Sequence, residues 1–309
     1  MTKPVVLHVG QIVEPCAPRY HAAFDVIEYL PGGPLPANPG EIMAIIAAAP
    51  VPAALMDALP ALTIIAAFGA GVDKIDLAHA KSRGIRVANA PDPTVGCVAD
   101  MAMALLLAVA RGIVAGDTFV RAGHWMAGQF PLLPRIHSRR MGVIGLGRIG
   151  GAIARRAQGF DMPVAYHNRT PVSGAPYTYM PDARALATWA EVLVVACPGG
   201  EATRHLVNAD VLRALGPTGI VVNIARGTII DETALIAALE TGEVAGAGLD
   251  VFEAEPSVPP ALRTAPNTVL MPHRGGGTIE TWAETADTVI ASITTHLTGA
   301  RPPGTLPGF

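Results

Sequence analysis

Residues 141–156 read M-G-V-I-G-L-G-R-I-G-G-A-I-A-R-R. An apolar strand pattern enters, Gly145, Gly147 and Gly150 form a G-x-G-x-x-G turn, and an apolar-periodic helix pattern leaves. In such a turn the first glycine permits the tight bend, the second lets main chain approach a pyrophosphate, and the third lets helix and strand pack closely. The helix N-terminus then offers free N–H groups to the anion. Isolated strings of this kind occur by chance. Flanked by strand and helix, this one reads as a dinucleotide site.

Short apolar runs alternate with helical patterns along the rest of the chain, as parallel βαβ units require. Strands are expected at Val5–Val9, 43–47, Ile64–Ala67 and Arg86–Ala88, followed by one long helix over 98–121 and an irregular stretch over 123–135. A second series begins at 142–145 and continues with strands at Val164–His167, 192–196, Ile220–Asn223, 246–250 and 269–271. A final helix is expected over 278–297. With 309 residues there is room for two cores. The predicted fold class is α/β: a Rossmann dinucleotide-binding domain over 99–284 and a smaller, discontinuous flavodoxin-like substrate-binding domain formed by 1–98 and 285–309.

Half the residues are apolar and 15% are charged, which excludes a disordered chain. A net charge of −3 gives no bulk attraction for nucleic acid or an acidic membrane, and neither partner is expected. Cys16, Cys97 and Cys197 are scattered, with neither metal-ligand spacing nor a disulfide framework. No metal site is expected, and a reducing cytoplasm is the natural setting. The N-terminal apolar run is too short for a signal peptide and reads as a first strand. The run over 101–110 falls short of the roughly 20 residues a membrane span needs, and reads as a buried helix.

About 20 residues past a glycine turn, NAD-binding chains usually carry an acid that accepts from the adenine ribose. Here the stretch is H-N-R-T, with Asn168, Arg169 and Thr170 and no acid. A guanidinium suits a 2′-phosphate, which it can hold by two parallel hydrogen bonds. NADP(H) is therefore expected over NAD(H), the latter remaining if Arg169 faces solvent.

Three later stretches end predicted strands: V-N-I-A-R-G-T-I-I-D (222–231), G-A-G-L-D-V-F-E-A-E-P (246–256) and L-M-P-H-R-G-G-G-T (270–278). Ligands of open α/β sheets bind at that edge. Arg226, Glu255 and His273 are thus expected to converge despite their separation in sequence. Singly, each has an ordinary structural reading: a strand-end cap, a loop acid, a satisfied core histidine.

Taken in order, F-G-A-G-V-D-K-I-D (68–76), the glycine turn, N-I-A-R-G, L-D-V-F-E-A-E-P and P-H-R-G-G-G-T resemble the D-isomer-specific 2-hydroxyacid dehydrogenases nearly end to end. Within that family the chain is most similar to the glyoxylate/hydroxypyruvate reductase branch, whose members often favour NADPH. The stretch V-V-A-C-P-G-G-E-A-T-R-H-L-V-N (194–208) fits the branch too.

The resemblance implies hydride transfer between nicotinamide C4 and C2 of a small 2-oxo or 2-hydroxy acid. It makes His273 the general acid, Glu255 its carboxylate partner, and Arg226 the group that binds and polarises the substrate. A carboxylate beside an imidazole favours the protonated ring. The N–H groups of Ala70 and Gly71 match the loop that grips the substrate carboxylate from the other domain, so domain closure is expected to assemble the site. Gly147, Arg148 and Ile149 match the pyrophosphate contacts, and Asn168, Arg169 and Thr170 the adenosine end. Cys197, Pro198 and Thr203 match the adenine and phosphate side. Ile224, Ala225, Asp250 and Gly275 match positions near the nicotinamide, with Asp250 accepting from its amide.

The family further implies a homodimer embraced through 123–135, where Trp125, Phe130, Leu132 and Leu133 are apolar anchors. Departures are Arg274 beside the histidine, the run Gly275, Gly276 and Gly277, expected to loosen the main chain there, and P-D-P-T-V-G-C-V-A-D over 91–100. Phe68 is expected beside the carboxylate loop, without a defined direction. The competing reading is a dinucleotide-sensing protein of the same fold without turnover, since the family includes transcriptional co-repressors. Phosphoglycerate dehydrogenases often carry an extra regulatory domain, for which 309 residues leave no room, and formate dehydrogenases carry glutamine where Glu255 stands.

Overall fold

The computed structural model describes residues 3–309. The chain divides into two compact units, one of residues 1–94 and 276–309, the other of residues 95–275.

The first unit is built on β1 (Val5–Val9), β2 (Asp25–Tyr29), β3 (Ala44–Ala47), β4 (Ile64–Ala67) and β5 (Arg86–Ala88), all parallel, in the order β2-β1-β3-β4-β5. This 2-1-3-4-5 order is that of flavodoxin. Neighbouring residues of one strand enter opposite cores. In β3, Ile45 and Ala47 belong to one apolar cluster, Ala44 and Ile46 to the other. A strand covered on both faces must be apolar throughout, which is why these runs do not alternate. The helix Ile279–Leu297 covers the second face through Ala286, Val289 and Ile293, and Thr278 Oγ1 caps it by accepting from Thr281 N–H at 3.1 Å.

The second unit holds β6 (Met141–Ile144), β7 (Val164–His167), β8 (Thr178–Tyr179), β9 (Val192–Val195), β10 (Ile220–Asn223), β11 (Gly246–Leu249) and β12 (Thr268–Leu270). They form one parallel sheet in the order β12-β11-β10-β9-β6-β7-β8. Counted within the unit this is 3-2-1-4-5-6 with a seventh strand added, the Rossmann order. Val192 and Val194 face one cluster, which the helices Thr94–Ala110 and Arg148–Gln158 cover; Leu193 and Val195 face the other. The first helix seats directly on β11, where a Cβ at Gly248 would fall 2.8 Å from Leu105 Cβ.

Several expectations need correcting. The helix expected over 98–121 is two: Thr94–Ala110 and Ile113–Arg121, set at 57° to each other. Gly112 between them takes a φ of +55°, which ends the first helix. The first buries a stripe from Val98 to Ala110, whereas the second buries no residue. No single helix among the described residues is long and apolar enough to cross a membrane. The edge strands β2 and β8 were not expected. The unit borders fall at 94/95 and 275/276 rather than 98/99 and 284/285, because Thr94 starts one helix and Thr278 caps another.

Candidate active site

The glycine turn joins β6 to the helix Arg148–Gln158. Gly145 has φ +98°, and a Cβ there would lie 2.5 Å from Cys197 N, at the end of the neighbouring β9. A Cβ at Gly150 would collide with the Gly145 carbonyl. Around Gly147 the space is open. Other helices of this unit are capped by side chains, Asp182, Asn208 and Asp231 among them, but Gly147 leaves the first N–H groups of its helix uncapped. Close packing on one side and open space over bare helical N–H groups fit a pyrophosphate. Arg148 is exposed at this mouth and Ile149 partly buried.

Asn168 follows β7 and turns back to the glycine loop, its Oδ1 accepting from Leu146 N–H at 2.6 Å. Its amide nitrogen is thus the end that can donate to a ligand. Arg169 and Thr170 are exposed. After β9, burial pushes the Cys197 thiol up to about 11, so it stays protonated near neutral pH. Thr203 Oγ1 donates to the Pro198 and Gly200 carbonyls at 2.8 and 3.1 Å, fixing the loop beyond Cys197.

Arg226 stands after β10. The buried Asn223 shapes its loop: Asn223 Nδ2 donates to Arg226 O at 2.9 Å, and Ala225 N–H donates to Asn223 Oδ1 at 3.0 Å. Ile224 is buried and Ala225 partly so. Gly227 packs so tightly on the main chain of Phe252 and Glu253 that any Cβ would collide with it. This contact brings the loops after β10 and β11 together. In the latter, Glu255 Oε1 accepts from Phe252 N–H at 3.3 Å, and Oε2 lies 2.8 Å from His273 Nδ1. An ionised carboxylate only accepts, so Nδ1 carries the proton and Nε2 is the atom left for a ligand. His273 is 41% exposed in its side chain, Glu255 25%.

Asp250, at the end of β11, is 2% exposed. Its carboxylate accepts from two main-chain groups, Arg274 N–H on Oδ1 and Gly275 N–H on Oδ2, each at 2.7 Å. Burial raises its pKa and these two N–H groups oppose the rise. Gly275 is therefore pinned, and the loosening expected of the glycine run is absent at this position.

In the first unit, Ala70 and Gly71 lie in the loop after β4. Gly69 takes φ +114°, Asn89 Nδ2 donates to Ala70 O at 2.8 Å, and Ala90 N–H donates to Gly69 O at 2.9 Å. The direction of Phe68 is now defined: its ring meets Trp282 edge-on at 6.2 Å.

Residues 103–275 match the model of the NAD-binding domain of D-isomer-specific 2-hydroxyacid dehydrogenases. The chain belongs to this family. A hydroxyphenylpyruvate reductase of Plectranthus scutellarioides is 46% identical over 247 residues, 80% of this chain and 79% of that one. A glyoxylate/hydroxypyruvate reductase A of Arabidopsis thaliana is 46% identical over 253 residues, 82% of this chain and 81% of its own. The crystal structure of an NADPH-dependent glyoxylate/hydroxypyruvate reductase of Sinorhizobium meliloti, in complex with NADP and malonate, matches with a TM-score of 0.94 and 38% identity over 99% of this chain and 98% of that one. As a family member with this glycine turn, the chain binds a nicotinamide dinucleotide.

Sequence reasoning gave no role to Asn223 or to the main-chain contacts of Asp250. The one signal available for Asn223 was an amide ending the otherwise apolar run I-V-V-N. It also set His205 aside, yet His205 Nε2 lies 3.2 Å from Glu253 Oε1. The same oxygen accepts from Arg204 at 2.8 Å, so this carboxylate is already matched by a permanent cation and ties two loops together.

Proposed function

We propose that this dehydrogenase reduces small 2-oxo acids, such as glyoxylate or hydroxypyruvate, to D-2-hydroxy acids, and prefers NADPH. The observation that carries the reading is the His273 Nδ1–Glu255 Oε2 contact of 2.8 Å beside the Arg226 loop. The nicotinamide dinucleotide supplies the hydride. His273 delivers the proton of Nε2 to the carbonyl oxygen as the hydride reaches C2, leaving a hydroxyl and a neutral ring. Glu255 fixes the ring's direction and balances its charge before transfer. Arg226 binds the substrate and offers N–H groups where negative charge develops on oxygen. The N–H groups of Ala70 and Gly71 receive the substrate carboxylate. Gly147, Arg148 and Ile149 take the pyrophosphate, Asn168, Arg169 and Thr170 the adenosine end, and Cys197, Pro198 and Thr203 line the adenine and phosphate side. Ile224, Ala225, Asp250 and Gly275 border the nicotinamide.

The deciding experiment compares kcat/KM for NADPH and NADH with glyoxylate and then hydroxypyruvate. NADPH is expected to be favoured. Arg169→Ala should lower kcat/KM for NADPH by roughly tenfold or more, the value of a charge-assisted hydrogen bond, and leave NADH unchanged. NADH used equally well by the parent enzyme would place Arg169 in solvent. No oxidation of either cofactor across a panel of 2-oxo acids would favour a dinucleotide sensor.

A homodimer is part of the same reading. Within 123–135, Phe130 packs on Phe119 at 5.5 Å between ring centres, while Trp125, Met126 and Leu132 are 68%, 96% and 101% exposed. Leu133 is 39% exposed and lies against Gly112. Exposed apolar side chains so close together fit a self-complementary two-fold interface. Sedimentation is expected to show a dimer, and Leu132→Asp to shift it toward monomer. A parent protein that sediments only as monomer would remove the interface. Cys16, Cys97 and Cys197 form no disulfide among the described residues, which suits a reducing compartment, and we assign the protein to the cytoplasm.

A further inference from the structure

We propose that Asp250 is a positioning residue for His273, its buried carboxylate holding the main chain of 273–275 in the turn that carries the imidazole to Glu255. This rests on the reading of His273 as proton donor, and assigns Asp250 a task distinct from bordering the nicotinamide.

Three successive N–H groups converge on this one residue. His273 N–H donates to Asp250 O at 2.8 Å, Arg274 N–H to Oδ1 at 2.7 Å, and Gly275 N–H to Oδ2 at 2.7 Å. Successive N–H groups aimed at one anion form a nest, which requires a left-handed residue in the turn. His273 is that residue, with φ +53°. A non-glycine residue rarely occupies this region and needs surrounding structure to hold it there. The carboxylate supplies that hold through main-chain groups, one N–H on each of its oxygens. Nearby charges are His273, which favours its ionised form, and Glu255, which disfavours it.

Gly275 completes the device. A Cβ there would lie 2.8 Å from Asp250 Oδ2, where the N–H must reach the oxygen. The ring direction at 273 is thus set by its main chain, and the main chain is set by Asp250.

The test uses the whole protein without cofactor, so that it does not depend on turnover. In the parent, the Nδ1 proton of His273 should give a low-field NMR signal of an imidazole bound to a carboxylate, which identifies itself by moving upfield in Glu255→Gln. Asp250→Asn replaces one accepting oxygen by an NH2 group that cannot accept from an N–H. The signal is expected to vanish in Asp250→Asn, and kcat to fall about 10²-fold, the effect of a displacement near 1 Å. If that variant does not fold, Gly275→Ala makes the same test, because it crowds the carboxylate without removing it. A folded variant that keeps the signal overturns the proposal. A parent enzyme with the signal but no turnover of any 2-oxo acid would instead count against the catalytic reading and leave the positioning result standing.

Discussion

His273→Ala is expected to lower kcat by roughly 10²–10⁴-fold, the usual contribution of a positioned general acid. This corresponds to about 3–5 kcal/mol of barrier. The site explains why the loss should be confined to the chemical step. The glycine turn, Asn168 and the loop from Cys197 to Thr203 lie at β6, β7 and β9, whereas His273 follows β12. Binding of NADPH, followed by quenching of the protein's own fluorescence, should therefore survive. Glu255→Gln should fall between the parent and His273→Ala, since a neutral amide can still accept from Nδ1 but no longer balances a charged ring. Unchanged turnover in His273→Ala would remove this residue as proton donor.

Arg226→Lys should be nearly as damaging despite keeping the charge. A lysine ammonium is a point donor on a flexible stem and cannot reproduce the planar fork of a guanidinium. Arg226 is also seated in a fitted place: its stem lies against Gly199, where a Cβ would fall 2.7 Å from Arg226 Cγ, and Nη1 donates to Ala225 O at 2.7 Å. We expect kcat/KM for the 2-oxo acid to fall roughly 10²–10³-fold, the value of one well-placed donor to a developing oxyanion, with the cofactor constant unmoved. Steady-state kinetics with varied 2-oxo acid at saturating NADPH measures it. A lysine variant with parent kinetics would show that charge alone suffices at this position.

The fold was legible where burial is two-sided. Central strands such as V-L-V-V (192–195) and the first three residues of I-V-V-N (220–223) are apolar because both faces are covered. Two of the four edge strands, β2 and β8, were not legible for the opposite reason. D-V-I-E-Y (25–29) is only half covered, and its acids disguise it as a loop. The second edge strand pairs through Ala165–Thr178 and Tyr166–Tyr179 alone. The helix break at Gly112 was masked by apolar residues that continue on both sides. Beyond the break they face outward, at Ile113, Val114 and Val120, rather than into the core. Residue types at strand ends pointed to Arg226, Glu255 and His273 before any geometry was known. Asn223, Asn168 and the carboxylate of Asp250 act instead as acceptors for main-chain N–H groups. Leu146 lies 22 residues from Asn168, and Arg274 and Gly275 lie 24 and 25 from Asp250. Separations of that kind leave no periodic trace.

The strand order also governs how such an enzyme can change over time. β7, which ends beside Asn168 and Arg169, stands three strands along the sheet from β10 and five from β12. At ~4.8 Å per strand that is roughly 14 and 24 Å. Substitutions so far apart, sharing no neighbour, combine additively. With Arg169 choosing the cofactor and His273 giving the proton, as proposed, a lineage could exchange one reducing cofactor for the other through a few surface residues after β7 while its proton-transfer apparatus is inherited intact. Selection on metabolic redox supply and selection on substrate act on separate ends of one sheet.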